Sequence, residues 1–189
     1  MYTTSHFVGI ELKSEYFSDI FVRVYQYLKE NKVQDCISFQ NPLSPHVTIY
    51  YFEQNLDDST KIEIKKSIEH FAINKSIKLA GFDYFYRGEG NRQVLYFTSD
   101  TDLPLQDFRD ELHNIYKRNE VEDNNFSFSP HITFLRIQNR VVFEVHRENI
   151  EKIIEIELQK LKNIDINVQK VYLYAVNSTF KEEIQLKLL

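Results

Sequence analysis

Apolar positions along this chain change period several times, and the changes outline alternating strands and helices. Phe7-Val8-Gly9-Ile10-Glu11-Leu12 is a mainly apolar run that predicts a strand. Phe17, Phe21, Val24 and Leu28 then recur at helical spacing. A strand over 46–52 follows. Asp57 and Asp58 stand where a helix start favours negative charge, and Ile64, Ile68 and Phe71 form that helix's inward stripe. Residues 76–86 read as a strand, Arg87-Gly88-Glu89-Gly90-Asn91-Arg92 as a turn, and 93–99 as the next strand. Pro104 suits the first turn of a third helix that buries Leu105, Phe108, Leu112 and Ile115. A polar, Asn-rich loop over 119–127 leads to a strand at 131–137. A fourth helix turns Ile150, Ile154, Leu158 and Leu161 inward, and a strand pair near 164–177 and 180–188 closes the chain.

That order repeats. Strand, helix, strand, helix, strand occurs twice, and the middle strand opens each time with the same tripeptide: Ser44-Pro45-His46 and Ser129-Pro130-His131. The opening strands near 7 and 94 are displaced by a similar distance. The chain therefore reads as one domain over 1–189, built from pseudo-repeat lobes of about 1–90 and 91–189 that face each other across a cleft.

The shared residues carry the chemistry. Alternate side chains of a strand share a face, so His46 points with Thr48, and His131 with Thr133. Each lobe then offers one imidazole and one hydroxyl. Pro45 and Pro130 cannot donate to a sheet ladder and suit the start of a strand, where a ligand can reach the next residue. Random placement of this chain's His and Thr would give roughly a quarter of one His-x-Thr, so two copies in matching places are informative. His6, His70, His113 and His146 have no such context and read as solvated or capping residues. Strict alternation puts Tyr50 on the face of His46 and Thr48, where its ring could stack a base or pack in the core. Arg136 could fork onto phosphate oxygens, but it lies five residues beyond His131, so a regular strand would aim it away; reaching the cleft needs twist, a bulge or the strand's end.

Composition narrows the partners. The chain has 189 residues and a formal charge of −5, with 23 Lys and Arg against 28 Asp and Glu, so it lacks the basic surface needed to wrap long nucleic acid. A small or terminal nucleotide remains compatible. The one cysteine, Cys36, cannot form an internal disulfide, and the first residues do not resemble a signal peptide, so a cytoplasmic setting is expected. No apolar run approaches the roughly 20 residues that span a bilayer. No His-x-x-x-His, Cys pair or Asp/Glu triad accompanies His46 and His131, so no metal site and no cofactor are expected.

Paired His-x-Thr strands in a duplicated chain of this length resemble the two-histidine (2H) phosphoesterases, particularly the 2′-5′ RNA ligase or RNA 2′,3′-cyclic phosphodiesterase family. Phe7–Leu12 is similar to that family's opening strand, Pro45-His46-Val47-Thr48-Ile49 to its first motif, and Pro130-His131-Ile132-Thr133-Phe134-Leu135-Arg136 to its second, Arg included. The first motif continues as Tyr50-Tyr51-Phe52-Glu53, where relatives commonly have Gly near position 53, and Tyr51 stands opposite Arg136 in the repeat. The resemblance implies a bilobal α+β fold, two antiparallel sheets around a central cleft with helices outside, and metal-free phosphodiester chemistry in the cleft. His46 and His131 would be the acid–base pair, and Thr48 and Thr133 would donate to non-bridging oxygens. The implied reaction is hydrolysis of a 2′,3′-cyclic phosphate, at an RNA 3′ end or on a small nucleotide, to a 2′-phosphate by a monomer. The alternatives are degradation of 2′-5′ oligoadenylate or a cyclic oligonucleotide signal, and an RNA-end or nucleotide-binding module without turnover.

Overall fold

A computed structural model describes residues 6–52, 56–69, 72–73, 76–88, 90–100, 105–117, 128–176, 181–184 and 187–188. Helix α1, Glu15–Glu30, buries Phe17, Ile20, Val24 and Leu28. Helix α2, Asp58–Ile68, starts where the sequence places it, because the Asp57 side chain accepts from the Thr60 amide at 2.7 Å. Helix α3, Leu105–Lys117, buries all four residues of its predicted stripe. Helix α4, Arg140–Leu161, is capped by Asn139 and buries Ile150 and Ile154, with Leu158 and Leu161 partly buried. The strands are β1 His6–Leu12, β2 Ile37–Phe39, β3 His46–Phe52, β4 Ala72–Ile73, β5 Ser76–Tyr86, β6 Arg92–Asp100, β7 His131–Ile137, β8 Ile166–Ala175, β9 Lys181–Ile184 and β10 Lys187–Leu188. The sequence does not announce β2 or β4, which are too short to show a period, and the strand expected near 180–188 appears as β9, paired with β8, and β10, paired with β4. Expectations on Glu53, His70, Phe71, Pro104 and the loop 119–127 lie outside the described residues.

The architecture is α+β. Eight strands form one antiparallel sheet, β1 pairing both β3 and β8, and β4 pairs β10 separately. Two short seams divide the large sheet into halves: Val47 opposite Ile132, joining β3 to β7, and Ser76–Ile77 against Ile166–Asn167, joining β5 to β8. One half runs β3-β1-β8-β9, the other β2-β7-β6-β5.

Each half draws strands from both lobes of the sequence. The C-terminal β8 and β9 complete the sheet of β1 and β3, while β5 completes that of β6 and β7. The helices cross over too. α1 sets Phe17 against Phe97 of β6 and Phe21 against Phe39 of β2, and α4 sets Phe143 against Tyr84 of β5. α3 packs on β3 and α2 on α3. The sequence repeat is therefore a repeat of elements whose members are traded between two packing units.

The two His-x-Thr strands share an irregularity. Gly9 of β1 faces Thr48 and Val8 faces Tyr50, so Ile49 is an extra residue; Tyr96 of β6 faces Thr133 and Leu95 faces Leu135, so Phe134 is extra. These are β-bulges, and each reverses the inward–outward alternation for the rest of its strand. Ile49 and Tyr50 are both buried, as are Phe134 and Leu135. Gly9 matters for a separate reason. A Cβ there would lie 3.0 Å from Tyr174 Cε2 and 3.3 Å from Phe7 Cε2, in a stack that also holds His46. Gly9→Val is expected to cost about 1–3 kcal/mol of stability by overpacking, measurable by urea unfolding.

Candidate active site

The Ser-Pro-His tripeptides orient their own imidazoles. His46 Nδ1 lies 2.9 Å from the Ser44 carbonyl, and His131 Nδ1 lies 2.8 Å from the Ser129 carbonyl. A carbonyl can only accept, so Nδ1 carries the proton in each ring and the neutral form keeps its lone pair on Nε2. Both rings are partly buried at the first residue of their strands.

The seam between the halves brings the motifs together. With Val47 opposite Ile132 in an antiparallel pair, His46 comes beside Thr133 and Thr48 beside His131. His46 senses the charge of His131, and both rings sense that of Arg136. Burial is the main influence holding the His46 pKa below the ordinary imidazole value, and the Arg136 and His131 charges push the same way, against the Ser44 hydrogen bond and Glu11. Burial also lowers His131, helped by Arg136. Charging both rings at once is doubly unfavourable, which suits a pair that holds one proton between two positions.

The bulges decide two of the predicted contacts. Beyond Phe134 the alternation is reversed, so exposed Arg136 shares the face of His131 and Thr133, and its charge reaches both imidazoles. Its Nη1 donates to Gln40 Oε1 at 2.7 Å. Tyr50 corrects the expectation from strict alternation. Beyond Ile49 it turns inward, 8% exposed, and its hydroxyl meets His113 Nδ1 of α3 at 3.0 Å. The neighbouring Tyr51 takes the face of His46 and Thr48 instead, 51% exposed and with its ring 5.5 Å from Phe7. The other described histidines lie apart from the pair: His113 holds Tyr50, His146 meets the Tyr27 hydroxyl at 2.9 Å, and His6 starts β1.

Aromatic rings and one carboxylate border the imidazoles. Phe7 and Tyr174 pack on His46 with ring centroids 5.2 and 5.1 Å away. Phe85, still 37% exposed, stacks on Tyr96 and meets His131 edge-on at 4.7 Å. Glu11 is buried beside His46, its pairing partner across β1 and β3. Its one sequence signal was a charge within an otherwise apolar strand. Among the described residues, no cluster of three or more His, Cys, Asp or Glu could hold a metal ion, and no helix is long and apolar enough to cross a membrane.

An α+β fold with a His-x-Thr strand on each side of the seam between its sheet halves is the arrangement expected of the two-histidine phosphoesterase class. The chain belongs to the 2′-5′ RNA ligase superfamily, whose sequence model matches residues 28–179 and so spans both motifs. Similar solved structures include the Escherichia coli LigT complexed with 3′-AMP, at 13% identity and TM-score 0.56, covering 96% of this chain and 95% of that one. TT0787 of Thermus thermophilus is 11% identical with TM-score 0.59, over 95% and 97% of the two chains. Usb1 of Kluyveromyces marxianus is 12% identical with TM-score 0.54, over 97% and 99%. No curated protein matches the chain in sequence. Membership of this superfamily supports a phosphodiesterase or nucleotide-processing role.

Proposed function

We propose that this protein hydrolyses phosphodiesters at RNA 3′ ends or in small nucleotides, taking a 2′,3′-cyclic phosphate to a 2′-phosphate by acid–base catalysis between His46 and His131. The observation that carries the reading is the matched tautomer of the two rings, each with Nδ1 bound to a backbone carbonyl two residues earlier. One neutral Nε2 takes a proton from water as it attacks phosphorus. The other, protonated, gives its proton to the departing 3′ oxygen. Thr48 and Thr133 donate to the non-bridging oxygens as negative charge builds. Arg136 forks onto the same phosphate from the His131 side. The bound 3′-AMP of LigT and uridine monophosphate of K. marxianus Usb1 support a nucleotide-sized substrate. Buried, unpaired Cys36 fits a reducing cytoplasm.

A second reading has its own support. An exposed ring stands on each side of the imidazoles, Tyr51 beside Phe7 and Phe85 beside His131. Two platforms suit a linkage with a base on either side, as in a 2′-5′ oligonucleotide. The test is a panel of oligonucleotides ending in 2′,3′-cyclic phosphate, 2′-5′ and 3′-5′ linked oligomers, and cyclic dinucleotides, incubated with chelator and with products identified by mass. The expected result is a 2′-phosphate from the cyclic ends, undiminished by chelator. Cleavage of 2′-5′ linkages alone would favour the second reading. Activity that dies on chelation and returns with zinc or manganese would refute the metal-free mechanism.

Arg136 and Tyr51 should separate in kinetics. Arg136→Ala removes a charge from the phosphate and is expected to lower kcat/KM by on the order of 10- to 100-fold. Tyr51→Ala removes a stacking face worth about 1–3 kcal/mol, and should raise KM with kcat nearly kept. Steady-state kinetics on the best substrate of the panel checks both.

A further inference from the structure

The pseudo-symmetry that gives both imidazoles the same tautomer fails one residue away. Glu11 of β1 pairs with His46 in the same way that Thr98 of β6 pairs with His131. One histidine therefore faces a carboxylate and the other a hydroxyl. Glu11 is only 4% exposed, and a buried carboxylate is costly unless its charge is met. Three donors meet it at Oε2: Ser44 Oγ at 2.5 Å, the Tyr174 hydroxyl at 3.0 Å and Lys181 Nζ at 2.5 Å. Lys181 comes from β9, a strand for which the other half has no counterpart among the described residues. Ser44 is also the residue whose carbonyl holds His46 Nδ1, and Tyr174 packs on the His46 ring. The cluster thus fixes both walls of the His46 site.

We infer that Glu11 is a positioning residue that makes His46 the proton donor, by anchoring Ser44 behind the imidazole and setting a carboxylate beside it. His131, which no buried carboxylate accompanies among the described residues, is left as the base. The inference rests on the two-histidine reading of the site. The charged and titratable groups around His46 are Glu11 of β1, Tyr174 of β8, His131 and Arg136 of β7 and, behind Glu11, Lys181 of β9. Of these, Glu11 favours the imidazolium, while Arg136 and His131 oppose it. Burial pulls the Glu11 carboxyl upward, but its bonds to Lys181, Ser44 and Tyr174 outweigh that and hold it below the usual range, so it is charged wherever the histidines titrate.

The test compares wild type with Glu11→Gln, a near-isostere without the charge, using NMR titration of both imidazoles and the pH profile of kcat/KM. The His46 midpoint is expected to fall by about 1 pH unit while His131 stays in place. The alkaline limb, set by the acid, should follow it, and the acidic limb should not move. At neutral pH the variant should lose roughly 10-fold on an alcohol leaving group and almost nothing on a nitrophenolate, which scarcely needs an acid. Glu11→Gln/Lys181→Met, which removes the buried ion pair together and leaves no unmet charge, should lower the His46 midpoint in the same direction, and this double variant decides the matter if Glu11→Gln does not fold. An unmoved His46 midpoint, a shift of the acidic limb instead, or equal losses on both substrates would overturn the inference. A wild type inactive on every phosphodiester would refute the proposed function, yet the two titrations would still report whether Glu11 acts on His46.

Discussion

His46→Ala and His131→Ala are each expected to lower turnover of a substrate with an alcohol leaving group by at least about 100-fold. Attack and departure each need a proton moved, and each ring has one Nε2 to move it. The two variants should differ on a nitrophenyl ester: the one lacking the acid regains activity, and the one lacking the base does not. With the carboxylate beside His46, rescue is expected for His46→Ala; rescue of His131→Ala would reverse the roles and keep the mechanism. The same substitutions carry a stability signature. Both folded-state pKa values lie below the unfolded one, so the native state is favoured above about pH 6.5 and loses that advantage as pH falls through the folded values. Replacing the rings should make melting temperature less sensitive to acid, which also confirms folding. Normal turnover by both folded variants would refute the two-histidine mechanism.

Thr48→Val and Thr133→Val should each lower kcat by on the order of 10- to 1,000-fold with little loss of stability. Valine keeps the shape and the strand preference, so what is lost is a donor aimed at an oxygen that gains charge in the transition state. KM should change less than kcat, because the ground-state phosphate needs that donor less. The seam sets each Thr beside the opposite histidine, and the double variant should lose less than the product of the single losses if the pair acts as a unit. Unchanged turnover in both single variants would make the hydroxyls packing groups.

Much of this was legible before any coordinates. Helix stripes such as Leu105, Phe108, Leu112 and Ile115 are buried as read, and Asp57 caps α2, because helical period and capping are set within a few residues of the chain. The paired His-x-Thr strands were legible for the same reason: side-chain direction within three strand residues is fixed by the pleat, and two copies point to one site.

The rest depended on partners distant in sequence. Tyr50 and Tyr51 exchanged places because a bulge is a property of two strands; Ile49 is extra only relative to Gly9 and Val8 of β1. The same displacement carried Arg136 onto the face of His131 and Thr133, a bulge being one of the devices its spacing called for. The trading of β5 and β8 between halves follows from which edges pair, and the repeat in the sequence is the same whichever way they do. Glu11 is the clearest case. Its burial and charge depend on Ser44, Tyr174 and Lys181, which are 33, 163 and 170 residues away along the chain. Local sequence determined the elements and the two chemical motifs, because backbone period and side-chain direction are short-range. Tertiary structure decided which neighbours those motifs face, and so how two nearly identical histidines come to differ, because electrostatics and burial act through space rather than along the chain.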